Sequence, residues 1–422
     1  MKKVLLSAAI IAASISANAQ KLITIPYTVN SDIYGMAISE NGKFIGGSDI
    51  ENRAFIYNTE TGEIKYYSYG EETGEESFTT DSDIRGISND GTGVGYVGEH
   101  ATKFDFASGK FTYLDESEEG SSLAKYISAD GSMISYMAYD NTYVQTPYWV
   151  KDGVKHKLQT TTDEWIGYET NGFVVEKGSA DGSVLMGYAV DNFATDPLFL
   201  WVKNRNEDTY SVVQVSRRFA DTSMDLNGAQ PYDQFAGGAI SANGKWVAIN
   251  WHAKDDYMGG SKIARYDVTT DSVTYINCPA QEYNASGISD DGTIVGFSGE
   301  MWGREGFICK AGETEVKSFT EAFPDCEGIA DIESGNNTVC DITGDGRYIL
   351  GFTDETIDEV PCTVTYVIDT QDPTAAIKSA TAGSNSSVVA SYSVDGKKAN
   401  ATNRGIMINK MSNGTVKKSL RK

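Results

Sequence analysis

Histidine is almost missing from this chain: His100, His156 and His252 are the only three in 422 residues. A multi-histidine metal centre is therefore not expected. Basic residues are scarce as well, with Lys+Arg 35 against Asp+Glu 59, a net charge of -24 and a pI near 4.5. That balance excludes nucleic acid as a partner, because phosphate backbones are bound by clustered Lys and Arg. Long apolar runs are absent after the first twenty residues, and that first run is too short to span a bilayer once processed. No stretch of residues 21–372 has the 3.6-residue periodicity of an amphipathic helix. A Gly-x-Ser-x-Gly nucleophile motif is lacking. So is the alternating Asp spacing of a calcium loop, so no cofactor is expected and calcium is allowed only by net charge. The five cysteines (Cys278, Cys309, Cys326, Cys340, Cys362) all fall in the last three of the repeated units described below. Their odd count leaves one thiol over in any pairing scheme, and buried free thiols are the expectation for most, with Cys326–Cys340 a conceivable loop staple.

Glycine and aromatics are plentiful. The 43 glycines are about a tenth of the chain, above the usual ~7 per cent, and Tyr and Phe number 24 and 16. This is the composition of an all-β protein full of tight turns. The two ends differ from the middle. Met1-Lys2-Lys3, an apolar stretch from Val4 to Ile15 and small residues at Ala17 and Ala19 read as a secretory signal peptide over 1–19. The chain is accordingly expected to be exported, to the exterior or the cell surface, otherwise to the periplasm. At the other end, residues 392–422 hold eight basic residues and one acid, Asp395. With those and the two N-terminal lysines set aside, 25 basic and 58 acidic residues remain for 20–391, a net charge of -33. Such a reversal of sign marks a separately functioning tail, 389–422. The Ala/Ser/Thr/Gly-rich stretch 373–388 before it reads as a linker.

Self-similarity dominates the middle. A Gly-x-Ile-Ser-x-Asp/Asn-Gly unit recurs seven times, with its last glycine at Gly42, Gly91, Gly131, Gly182, Gly244, Gly292 and Gly346. The spacings are 49, 40, 51, 62, 48 and 54 residues. Asp-Gly or Asn-Gly between apolar runs supplies the φ > 0 positions of a tight hairpin. Short β-rich strands follow each turn, with glycines (Gly46, Gly95, Gly187, Gly296, Gly351) where crowded backbones approach. Four strands per ~50 residues, repeated radially, predict a seven-bladed β-propeller over 20–372, with a short β-hairpin or β-sandwich tail. The strand beginning at Leu22 has no blade of its own, and it is expected to serve as the outer strand of blade seven and so latch the ring. Pro26 would suit that edge position.

Two resemblances add to this reading. The Gly-Ile-Ser-x-Asp-Gly unit, followed by Ala54-Phe55, Trp149 and Trp201, resembles the HAF-type extracellular repeat, which implies an exported propeller and no shared chemistry. In the tail, Tyr392-Ser393-Val394-Asp395-Gly396, Gly405-Ile406-Met407-Ile408 and the basic end from Gly414 resemble the sorting domain of the type IX (Por) secretion system. That resemblance implies the export machinery as a partner of residues 392–422.

Loop length points to a site. The first-to-second and third-to-fourth strand turns are short and share one face of a propeller. The long segments (70–83, 160–173, 216–235, 320–337 and the second-to-third strand loops) fall on the other face, where binding usually sits. Candidate binding residues there are Trp251, His252, Asp255, Asp256 and Tyr257 of blade five, and Trp302, Arg304 and Glu305 of blade six. Tyr139 and Tyr143 of blade three and Phe193 of blade four join them. Exposed aromatics beside carboxylates stack on sugar faces or anchor proteins. Trp149, Trp201 and Trp246 lie within strands and are read as core. The leading expectation is a non-catalytic binding or scaffold protein for a glycan or a surface or secreted protein. Two alternatives stand beside it: a glycoside hydrolase or polysaccharide lyase using paired carboxylates, and a structural component of an envelope complex. A deep axial pocket ringed by carboxylates with Arg304 or His252 would favour the enzyme.

Overall fold

The computed structural model describes residues 20–25, 32–67, 81–115, 120–139, 144–160, 170–191, 198–205, 207–215, 235–251, 261–279, 282–300, 303–357, 359–371, 388–393, 405–411 and 416–421. It divides into two compact units. One is Lys21–Thr370; the other includes Gln371–Lys422. The expected signal peptide lies outside the described residues, as do Pro26 and all of the expected linker except Val388.

The larger unit is a seven-bladed β-propeller. Blade one runs Ile33–Ile38, Phe44–Asp49, Ala54–Asn58 and Ile64–Tyr67, each strand antiparallel to the one before it. The same four-strand order repeats six more times, with inner strands at Ser82–Ile87, Ser122–Ile127, Thr170–Gly178, Phe235–Ile240, Tyr283–Ile288 and Thr338–Ile342. Blade seven draws its outer strand from the start of the chain, where Lys21–Thr24 pairs antiparallel with Tyr366–Asp369. The expected latch is thus present. Seven hydrophobic clusters occupy the seven junctions between blades. At the junction that closes the ring, Ile33, Ile45 and Phe55 of blade one meet Leu350 and Val367 of blade seven. Trp149 and Trp201 are buried, as read from sequence, while Trp246 is half-buried against the cluster between blades five and six.

The seven turns are alike in chemistry. In each, the buried Ser (Thr343 in blade seven) donates its hydroxyl to the Asp or Asn two residues on, at 2.6–2.8 Å. The same carboxylate or amide oxygen accepts the backbone N–H two residues further along, as at Ser183 and Thr293. Only the glycine takes φ > 0, from 70° at Gly42 to 94° at Gly292. The Asp and Asn act through their side chains, not by supplying positive φ.

Those turns are also linked to one another. The N–H of Asn41 reaches Asn89 Oδ1 (2.9 Å), Asn89 reaches Ala129 O (2.8 Å), and Ala129 reaches Ala180 O (2.8 Å). Ala180 continues to Ala242 O (2.7 Å), Asn243 to Asp290 Oδ1 (2.7 Å), and Asp290 to Gly344 O (2.7 Å). Gly344 N–H then closes the circle on Glu40 Oε2 at 2.7 Å. Seven backbone donors, one per blade, all point to the following blade.

Three sequence expectations need correction. Residues 319–334 are not an irregular loop but carry two short helices, Phe319–Ala322 and Ile329–Ser334. The first is set by a capping box between Ser318 and Glu321. Phe319, Phe323, Ile329 and Ile332 pack with Leu22 into the junction of blades six and seven. Helical periodicity failed as a signal because each helix is under two turns long. All five cysteines are free, so Cys326 and Cys340 do not staple a loop. Finally, a side chain at Gly95, Gly187 or Gly296 would strike a carbonyl oxygen of the inner strand, but at Gly46 and Gly351 the first obstacle is a side chain, Ile84 and Tyr366. In blade one the backbone approach belongs to Gly47.

The tail forms a three-stranded antiparallel sheet, Val388–Ser393, Gly405–Met411 and Val416–Arg421. Among the described residues no helix is long and apolar enough to cross a membrane.

Candidate binding site on the propeller axis

The site begins with an irregularity that every inner strand shares. Each has a shift in its pairing register, a β-bulge, three residues before the turn serine: between Gly35 and Ala37, Ile84 and Gly86, Ala124 and Tyr126, Val175 and Lys177, Ala285 and Gly287, and Val339 and Asp341. In blade five the shift is wider, from Phe235 to Gly238. A bulge re-aims one side chain and bends the strand. The extra residues are Met36, Arg85, Lys125, Glu176, Ser286 and Cys340. The repeat keeps Ile and Ser where it builds the blade and varies its chemistry where the strand is bulged.

A cavity of about 90 Å³ lies on the axis between the bulges and the turns. Its wall includes Met36, Glu40, Arg85, Lys125, Lys177 and Asp341. Lys125 pairs with Glu176 of the next blade. Lys177 spans the axis, donating to Ser286 O of blade six at 2.6 Å and lying 3.8 Å from Asp341 of blade seven. Arg85 pairs with Asp83 on its own strand at 2.7 Å.

Burial shapes the protonation of these groups. Glu40 is pushed up to about 7, first by burial and then by the neighbouring Asp341, Asp290 and Asp345, against the lowering effect of the Gly344 N–H. Burial raises the Asp341 carboxyl, with Lys177 and its own strand's Ile342 N–H pulling the other way. Burial likewise pushes the Cys340 thiol up to about 12, with Lys177, Arg85 and Arg304 opposing, which keeps it neutral and unreactive.

Two of the sequence-predicted residues lie near groups on the bulged inner strands. Tyr139 is raised by burial and then by the nearby carboxylate of Glu176. Arg304 donates to Thr338 Oγ1 of the blade-seven inner strand at 3.1 Å, lies over the Phe297 ring, and is close enough to affect Cys340. Trp251 turns elsewhere: half-buried, it meets Tyr275 of the outer strand of blade five edge-on at 5.5 Å and packs on the core between blades four and five. Glu305 is exposed and lies close to the half-buried Glu333. His252, Asp255, Asp256, Tyr257, Trp302, Tyr143 and Phe193 lie outside the described residues. Among the described residues, no three or more His, Cys, Asp or Glu side chains are grouped to hold a metal ion.

Arg85, Lys125, Glu176, Lys177 and Asp341 did not stand out in the sequence. A signal was available: aligning the seven copies shows the position three before the serine changing from Met to Arg, Lys, Glu, Gly, Ser and Cys, while the residue after it is small or aromatic except at Lys177 and Asp341.

No protein-family model and no curated protein matches the chain. Solved propeller structures resemble it at low identity. TolB from Acinetobacter baumannii is 14% identical, with a TM-score of 0.40, 68% of this chain covered and 65% of that one. For a putative TolB from Agrobacterium tumefaciens the values are 13%, 0.38, 60% and 85%. The structure of U3-55K gives 10%, 0.47, 82% and 98%.

Proposed function

We propose that this is an exported, non-catalytic binding propeller that engages a glycan through its long-loop face and the adjoining axis. The observation that carries this reading is the division of labour between its faces. One face is locked by seven hydrogen-bonded turns, and the sequence assigns the long segments to the other, where Arg304 bonds Thr338 and Tyr139 lies near Glu176. A rigid scaffold presenting variable loops is the usual construction of a binding protein. The axial carboxylates are engaged, Glu176 with Lys125, Asp341 with Lys177 and Glu40 with Gly344 N–H, which favours binding over acid–base work by a carboxylate pair. The apolar N-terminus and the basic tail support export, the tail in the manner of the sorting domain it resembles.

The test is a polysaccharide pull-down and glycan array with the full-length chain. Retention that is lost in Trp302→Ala supports a glycan site on the long-loop face, and loss in Trp251→Ala counts only if that variant, whose tryptophan packs on the core, melts as the unsubstituted chain does. Retention of a secreted or surface protein, and of no glycan, would replace glycan by protein. One observation favours the enzymatic reading: a carboxyl near 7 in a cavity, as at Glu40, suits proton transfer. Turnover of any retained glycan that vanishes in Glu40→Gln would establish it.

A further inference from the structure

The axial cavity has a chemistry the rest of the molecule does not predict. In a body with 58 acidic and 25 basic residues, three successive blades each send one cation to the same small space: Arg85, Lys125 and Lys177. All three sit at or beside a bulge: Arg85 and Lys125 are the extra residues of theirs, and Lys177 follows the extra residue Glu176. The carboxyls of Glu40 and Asp341 share that wall, so it carries both signs; three cations held in one small, partly desolvated space still favour an anionic group between them. Each of these cations faces a carboxylate of the chain, Asp83, Glu176 or Asp341, and Lys177 also donates to the Ser286 carbonyl. Of these pairs the Lys177–Asp341 contact is long, at 3.8 Å, and the Arg85 side chain remains 39% exposed. The internal carboxylates therefore show what the cations recognise without closing the site.

We infer that the axial cavity is a carboxylate-binding site, in which Arg85, Lys125 and Lys177 hold the acid group of a ligand and Glu176 competes for Lys125. The volume fixes how much of the ligand enters. About 90 Å³ is the liquid share of roughly three waters. It accommodates a carboxylate and the carbon that bears it, and because the cavity is open on one side the rest of a ligand can extend out of it. The ligand is thus an acid inserted end-on: a free hexuronate, or a uronate residue of a glycan whose remaining rings lie outside the cavity. The glycan form of this inference rests on the function proposed above; the carboxylate site itself does not.

The experiment is a titration of the full-length chain by calorimetry with D-glucuronate, with D-glucose as the neutral counterpart, then with an oligouronate and a neutral oligosaccharide of equal length. Glucuronate is expected to bind and glucose not to bind. Losing one charge-assisted hydrogen bond weakens binding about tenfold, so Arg85→Gln and Lys125→Gln should each show a loss of that order. Glu176→Gln is expected to act in the opposite direction and tighten binding, because it frees Lys125. A purely structural role for the pair would weaken binding in both Lys125→Gln and Glu176→Gln, and that result overturns the inference. So would equal binding of glucuronate and glucose, binding of neither acid form, or an Arg85→Gln variant that binds as the wild type does. Melting curves identify any variant that has not folded, and the exposed Arg85→Gln keeps the test open if Lys125→Gln is one. Binding of the oligouronate alone places the acid in a glycan; equal binding of the monomer makes it a free acid. A chain that binds neutral glycans through Trp251 or Trp302 but shows no preference for uronate loses only this inference. One that binds glucuronate but no glycan keeps it and loses the proposed function.

Discussion

At the residue scale, Asp-Gly and Asn-Gly turns looked interchangeable in the sequence, and they are not. Blades one and five use Asn, and there the side-chain amide does two things: Oδ1 accepts from the turn serine, and Nδ2 donates to the next blade, Asn41 to Asn89 O at 3.0 Å and Asn243 to Asp290 O at 3.2 Å. An aspartate there loses the donor and faces the Asp290 carboxylate. Asn243→Asp should cost about 1–2 kcal/mol in a urea melt, whereas Asp130→Asn in blade three, which has no such donor duty, should cost clearly less. The serine is a second example. Read as a strand residue, Ser179 is fully buried and both donates to Asp181 and accepts from Val184 N–H. Ser179→Ala leaves that N–H unsatisfied and should destabilise by about 1–3 kcal/mol.

Protonation belongs to this scale too. Hydrogen bonds from Ser128 and from the Ser132 backbone hold Asp130 below the usual carboxylate range. Asp130 therefore adds stability at neutral pH that is lost as the solution is acidified below that range. Glu40 and Glu333 are raised, each to about 7 and each chiefly by burial, so the folded chain holds protons the unfolded chain has released. Their contribution is full below about 4.5 and declines as pH rises toward 7. The melting temperature should therefore peak at mildly acidic pH. In Glu40→Gln, whose amide oxygen still accepts from Gly344, the decline between 4.5 and 7 should be shallower. An unchanged slope would mean that Glu40 does not carry it.

At the scale of the element, strand order and strand number were legible because turn chemistry repeats at a fixed spacing. The bulges were not, because a bulge is a property of pairing between two strands, and its variable position shows only when the seven copies are compared, not in any single strand. That is why the axial residues escaped notice while the blades did not. The helices of 319–334 escaped for a different reason: their ordering comes from packing Phe319 and Ile332 against blade seven, not from periodicity. Backbone crowding gives a direct test of blade geometry. A methyl at Gly187 would lie 1.8 Å from Val174 O, so Gly187→Ala should lower stability by about 1–3 kcal/mol. Gly153 has nothing within 4 Å of such a methyl, and Gly153→Asn should be much milder, because only its φ of 76° resists the change and Asn tolerates that region.

At the scale of the whole molecule, closure depends on a four-residue strand. Lys21–Thr24 covers the edge of blade seven, and Leu22 lies under the helical insertion. A chain beginning at Ile25 should melt several degrees lower and should self-associate in size-exclusion chromatography, since an uncovered strand edge recruits another. The ring was readable from sequence because a strand without a blade and a blade without a strand stood at opposite ends of the chain.

The circle of turn hydrogen bonds has an electrical consequence. In a helix, aligned peptide dipoles add, leaving partial charge at each end. Here the seven N–H donors follow one another head to tail around a closed loop, so their in-plane vectors sum to nearly nothing and no pole is left over. The bonds can polarise one another along the backbone links from Asn89 to Ala242, while Asn89 Oδ1, Asp290 Oδ1 and Glu40 Oε2 complete the circle through side chains. An ion approaching through that opening would meet only the side chains.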